Sequence, residues 1–174
     1  MTWTELLKAQ VEAAYRSADA LMGLVGDSEL GWKPATGENW MTVGQVLHHM
    51  SDACGAPCKG LVTGDWGMPD GVDLGEMPPE EMLPPAEKLP TVESVADARK
   101  KLAEDKAIAL RMIEQSGEED LMNRQVSAPW DPREETLGRY LLQMIEHLET
   151  HKAQLYYYLK LQGKPVNTSN LWSG

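Results

Sequence analysis

The sequence predicts an all-α protein, a bundle of four long helices. Three observations carry that expectation. Four segments repeat their apolar residues with the period of a helix, three of them open on recognisable capping residues, and the long stretch between the second and third shows no strand alternation. Amphipathic helices of this kind bury their apolar faces most simply against one another.

The first helix is read from "TWTELLKAQVEAAYRSADALMGLV". Thr2 stands three residues before Glu5, the spacing of a capping box, in which hydroxyl and carboxylate each satisfy an amide at the open helix end. Leu6, Leu7, Val11, Ala14, Ala18, Leu21 and Met22 form its apolar stripe, and the pattern fades at Gly23 and Gly26. After the loop "GWKPATGENWM" the second helix opens on "TVGQVLHHM", where Thr42 and Gln45 repeat the capping box. Pro57 is expected to kink or end it, because proline lacks the amide that a helix interior needs. Residues 64–91 are rich in Gly, Pro and acid and predict a long irregular connection. The third helix is expected over about 92–116, with Val95, Ala98, Leu102, Ile108, Met112 and Ile113 facing inward. The fourth is expected to start in "WDPREETL", with Asp131 as N-cap, Pro132 at the first helical position and Glu134 and Glu135 in the first turn. It should stop at Gly163, with Pro165 just beyond. Residues 1–174 are taken as one domain.

Composition excludes several function classes. Hydrophobic residues make up 42% and charged residues 25%, as in ordinary globular proteins. Phe is absent, so Trp, Tyr, Leu and ten Met must supply the core's bulk. A net charge of −11 repels phosphate backbones and anionic headgroups, and no basic run is interleaved with aromatics. Nucleic acid is therefore not an expected partner. The N-terminus lacks the basic and continuous apolar regions of a signal peptide, and no apolar run approaches a membrane span. A cytoplasmic location, without a membrane partner, is expected. Cys54 and Cys58 stand four apart with Pro57 between them, which is not the redox C-x-x-C spacing. They are expected to be buried, reduced thiols.

The four histidines fall on two of the predicted helices. In "HLETH", His147 and His151 are an i, i+4 pair. At about 100° per residue, Leu137, Leu141, Met144, Leu148, Leu155 and Leu159 define the core stripe of that helix. His151 lies about 60° from its centre and His147 about 100°, on the same side, so the two rings can share one cation. Glu149 falls on the opposite face, which excludes the H-E-x-x-H metalloprotease arrangement. The E-x-x-H pairs of a di-iron bundle are also missing. Catalytic metals usually take three protein ligands and keep an open position. The doublet His48–His49 can supply the third ligand. Measured from Val43, Leu47, Met50 and Cys54, His49 lies about 110° and His48 about 150° from the core centre. The angles favour His49 only weakly and leave His48 as an alternate. A plain bundle with incidental histidines is the competing reading.

With these residues placed, the chain resembles the DinB-like superfamily of metal-binding four-helix bundles, which includes the YfiT-type proteins. A W-x-P element in "WKPATGENWM" precedes "TVGQVLHHMSDA", similar to the family's small-hydrophobic-x-x-hydrophobic-hydrophobic-His-hydrophobic-x-Asp. Downstream, "MIEHLETHKAQLYYYLKLQGKPV" resembles its His-x-x-x-His helix followed by Gln, apolar residues and a final Gly. Carried over by position, the resemblance implies His49, His147 and His151 as metal ligands, with His49 chosen because it precedes "MSD". It further implies an up-down-down-up bundle, with residues 64–91 as the long crossover between helices 2 and 3, and a homodimer.

The chemistry the resemblance implies is specific in kind. Three neutral imidazoles leave a divalent cation its full charge, so that it lowers the pKa of bound water or binds a thiolate. An all-imidazole site favours Ni, Cu or Zn among first-row ions, and Zn or Ni is expected here. Characterised relatives include metal-dependent transferases and isomerases that use low-molecular-weight thiols such as bacillithiol, mycothiol or glutathione, and others described as hydrolases. A small electrophilic molecule is the expected substrate. Asp52, one turn after His49, is a candidate to orient an imidazole, or else a solvated helix residue. Tyr140, Tyr158 and Gln154 are candidates to line the pocket. The alternative is a non-catalytic, metal-stabilised stress-response or binding module.

Overall fold

Helix α1 spans Trp3–Met22 in the computed structural model, which describes residues 1–69, 74, 77–78, 81 and 84–172. Its start is the expected capping box: the Glu5 amide donates to Thr2 Oγ1 at 3.1 Å and the Thr2 amide to Glu5 Oε2 at 2.8 Å. Helix α2 (Val43–Met50) opens the same way, with the Gln45 amide on Thr42 Oγ1 at 3.2 Å and the Thr42 amide on Gln45 Oε1 at 2.8 Å. Gln45 Nε2 then donates to the Ala86 and Leu89 carbonyls at 2.7 and 2.8 Å, tying the far end of the 64–91 connection to α2.

Pro57 is not what ends that helix. The chain leaves α2 at Met50 and restarts as α3 (Gly55–Thr63), with Pro57 in its first turn, where an amide has no partner to lose. The restart is imposed from another helix. The Asp105 carboxylate accepts from the Gly55 and Ala56 amides, both at 2.8 Å, and from the Tyr15 hydroxyl at 2.6 Å. A Cβ on residue 55 would sit 2.0 Å from the Asp105 carbonyl oxygen, so this close approach requires glycine. The break also leaves the Ala53 carbonyl outside both helical ladders: α3 takes its first backbone bond at the next residue, from the Cys58 amide to the Cys54 carbonyl at 3.0 Å.

Helix α4 (Val95–Asn123) starts a few residues later than expected, where Ser94 Oγ accepts from the Asp97 amide at 3.1 Å. Its expected end at 116 marks an interruption: Gly117, at φ 70° and ψ 164°, breaks the helix, which then resumes to Asn123. The break turns the Glu118 carboxylate onto the N-terminus of α1, where it accepts from the Trp3 and Thr4 amides at 2.7 and 3.1 Å.

The expected start of the last helix is corrected. Asp131 is no N-cap and Pro132 no first helical residue. Instead β1 (Gln125–Ala128) and β2 (Asp131–Thr136) form an antiparallel hairpin, and α5 begins only at Leu137, running to Leu161. Pro129 and Trp130 form the turn, a position that suits proline. Pro132 is tolerated because each strand of an isolated pair is an edge. Asp131 bonds instead to Arg133, accepting its amide at 3.1 Å and its Nε at 2.9 Å. The Leu137 amide donates to the Arg124 carbonyl at 2.8 Å, so α5 starts where the hairpin has returned the chain to the end of α4. The expected absence of strands therefore fails here, in a fold that is otherwise helical. A short helix α6 (Thr168–Trp172) follows Gly163, whose φ is 79°.

Helices α1, α4 and α5 pack against one another, and α2 and α3 pack across α4 and α5. All six residues of the predicted α5 stripe are buried, as are Leu7, Val11, Ala18, Leu47, Leu102 and Ile113, while Val95 and Ile108 are only partly so. Cys54 and Cys58 are buried free thiols. In the 64–91 connection, residues 70–73, 75–76, 79–80 and 82–83 lie outside the described residues; a 3₁₀ turn occupies Ala86–Lys88. Among the described residues, no helix is long and apolar enough to cross a membrane.

Candidate metal centre

Helix α5 presents His147 and His151 one turn apart towards α2, which presents His49. His49 Nε2 and His151 Nε2 each lie 3.1 Å from His147 Nε2. All three donor atoms are within 4.8 Å of one another, and each ring is half-buried. The three rings meet edge to face, with the His49 and His151 centroids 4.3 Å apart. His48 is turned out of this cluster, its Nδ1 3.8 Å from Asp52 Oδ2.

Hydrogen bonds behind the rings decide where their protons sit. His147 Nδ1 is 3.1 Å from the Ala53 carbonyl, which stands in the break between α2 and α3. A carbonyl only accepts, so Nδ1 carries the proton and Nε2 a bare lone pair. His151 Nδ1 is 3.0 Å from Gln154 Oε1, which likewise leaves His151 Nε2 unprotonated. Two lone pairs thus face each other at 3.1 Å and repel unless positive charge lies between them. Protonation is not the ready answer. Burial, followed by the neighbouring His151 and His147, pushes His49 down to about 3, and burial also lowers His147 and His151. The rings are neutral near pH 7.

Two of the three donor separations match what a shared cation requires, and the three rings could hold one. Metal–nitrogen bonds of about 2.0–2.1 Å place neighbouring donors roughly 2.9 Å apart at right angles and roughly 3.4 Å apart in a tetrahedron. The observed 3.1 Å separations fall between these values. Imidazole donors suit Zn, Cu, Fe and Ni.

A cleft of about 580 Å³ opens beside the rings, and its lining includes His49, His147, Asp52, Met144, Glu146 and Trp130. No Lys or Arg lines it among the described residues. Asp52 is half-exposed and stays 3.9 Å from His49 Nδ1, too far for a hydrogen bond. Tyr140 does not reach the cleft. It is buried, and its hydroxyl donates to the Arg133 carbonyl at 3.0 Å, fastening the hairpin to α5. Gln154 and Tyr158 lie behind His151 rather than in the cleft. Sequence reasoning missed Trp130, which the hairpin turn holds at the cleft with its ring 5.5 Å from that of Trp66. The signal available was a bulky aromatic directly after a proline in "APWD".

Fold and site together define a class: a mainly helical protein whose three-histidine cluster could hold a metal ion. The sequence profile of the DinB superfamily matches residues 10–155, and the chain belongs to that superfamily. The crystal structure of a protein assigned to the DinB family, from Exiguobacterium sibiricum 255-15, superposes with a TM-score of 0.66 at 16% identity, over 98% of each chain. At that identity the likeness speaks for the fold alone. No curated protein matches the chain.

Proposed function

We propose that this protein is a metal-dependent enzyme. His49, His147 and His151 would hold a divalent cation, Zn or Ni, whose Lewis acidity would serve to activate a low-molecular-weight thiol or a water for transfer to, or hydrolysis of, a small electrophilic substrate. The observation that carries this reading is the pair of unprotonated Nε2 atoms facing each other at 3.1 Å, with a third ring at the same distance. When bound, the cation supplies Lewis acidity and a lowered pKa for a coordinated water or thiol. The chain's own residues do the rest. Ala53 and Gln154 hold the protons of His147 and His151 on the far side of each ring, and Trp130 and Met144 give the substrate an apolar wall. Glu146, with no cationic side chain beside it in the lining, disfavours anionic substrates and thiols, and Asp52, whose carboxyl burial pushes up to about 7, adds negative charge as pH rises through that value. In the same reading, residues 1–174 are one domain, with the main helices running up-down-down-up across the 64–91 crossover. The protein works in the cytoplasm as a homodimer, on a small molecule rather than on nucleic acid or a membrane.

One observation favours a second reading, a non-catalytic metal-stabilised binding or stress-response module. No carboxylate hydrogen-bonds to the three rings among the described residues, so none of them has the carboxylate partner that commonly raises the basicity of a metal-ligating histidine. The test has two stages. Metal analysis of untagged protein should give about one Zn or Ni per chain, lost in the His147→Ala/His151→Ala variant; equal, negligible metal in both would end the metal reading. Metal-loaded protein is then screened with neutral and carboxylate-bearing thiols against several electrophiles. Turnover with the neutral set supports the enzyme, and uniform inactivity supports the module.

A further inference from the structure

We propose that Gln154 and Tyr158 are positioning residues. They form a hydrogen-bond chain, anchored on the Met41 carbonyl, that decides which nitrogen of His151 carries its proton. The inference rests on the metal reading above, because its consequence is that His151 Nε2 stays available to a cation.

The direction of the chain follows from its anchor. The Met41 carbonyl can only accept, so the Tyr158 hydroxyl, 3.0 Å away, must donate to it. That commits the only hydroxyl proton and leaves the Tyr158 oxygen as an acceptor. Gln154 therefore turns its Nε2 towards Tyr158, at 3.0 Å, and its Oε1 towards His151 Nδ1, also at 3.0 Å. An amide oxygen accepts, so Nδ1 must be the protonated nitrogen of His151. Without the tyrosine oxygen the amide could turn over at little cost, since its two ends have nearly the same shape. It would then offer N–H to Nδ1, and the proton would move to Nε2, where it would block a cation.

The anchor is itself held. Tyr158 is buried, and the rings of Trp32 and Trp40 meet its ring edge-on at 5.3 and 6.2 Å. Met41 directly precedes Thr42, the N-cap of α2, and α2 carries His49. The chain therefore also ties the entry of one histidine-bearing helix to the other.

The test uses four variants of the full chain: Tyr158→Phe, Tyr158→Phe/Gln154→Glu, Gln154→Leu and Gln154→Glu. Two readouts are taken: the imidazole ¹⁵N shifts of His151 in metal-free protein, and the affinity for Zn(II) or Ni(II). Wild type should show the Nδ1–H tautomer. Tyr158→Phe should shift it towards Nε2–H and weaken metal binding by about 10- to 100-fold. Adding Gln154→Glu to Tyr158→Phe should restore both, because a carboxylate can only accept; lost packing would not be rescued this way. Should Tyr158→Phe fail to fold, the comparison of Gln154→Leu, weakened, with Gln154→Glu, not weakened, makes the same test. An unchanged tautomer in Tyr158→Phe, or a double variant as weak as the single one, would overturn the proposal. If wild type binds neither ion yet the tautomer still shifts as expected, the chain stands and the metal reading falls.

Discussion

Two imidazoles that turn lone pairs towards each other are costly to assemble without a cation, and the residues behind His147 and His151 hold them that way. Ala53 and Gln154 accept from the Nδ1 atoms of His147 and His151, so neither ring can relieve the repulsion by moving its proton inward. His48 and His49 are neighbours in sequence with opposite fates: His49 joins the cluster, while His48 faces Asp52. His49→Ala should therefore lower Zn or Ni affinity by at least about 100-fold, and His48→Ala should leave the metal stoichiometry of purified protein unchanged. Equal losses in both would refute the assignment. The helical angles of His147 and His151 were legible in the sequence because every residue of their core stripe is apolar. The doublet was not legible by angle, since both its members lie far from the core centre. The Ala53 carbonyl was out of reach too, because a free backbone acceptor appears only once the helix break is known.

Capping boxes at Thr2 and Thr42 were readable because both partners are local, three residues apart. The break after Met50 and the late start of α5 were not, because distant residues impose them. Asp105 caps α3 from another helix, and the Arg124 carbonyl receives the first amide of α5. Asp-Pro followed by acids serves a turn as well as an N-cap, and in "WDPREETL" the hairpin wins. Glycine at 55 is the hinge of this arrangement. Gly55→Ala should destabilise the fold by about 1–3 kcal/mol through overpacking against the Asp105 backbone, measured by denaturant unfolding. It should also weaken metal binding, since the displaced segment carries the Ala53 carbonyl. Gly31→Ala, where a Cβ meets nothing within 4 Å, is the control and should have little effect.

Across the whole molecule, acidic groups fasten elements that are remote in sequence. Hydrogen bonds from the Trp3 and Thr4 amides, with Thr4 Oγ1, hold the Glu118 carboxyl below its ordinary value. A carboxylate with a lowered folded-state pKa contributes stability above its unfolded pKa and loses it as pH falls through the folded value. Wild type should therefore melt above Glu118→Gln at pH 7, and the difference in Tm should close in acid, below the ordinary glutamate range. A gap that persists unchanged at low pH would show that charge is not the cause. The histidine cluster has a consequence on the same scale. His49 and His147 are 98 residues apart in the chain, and α2 and α5 meet where they face each other. An ion gripping both would act as a reversible cross-link, closing a loop whose entropy in the unfolded chain is worth about 4.7 kcal/mol by the estimate used for disulfides. A molecule starved of that ion would then be short-lived, and its turnover in the cell would track metal supply.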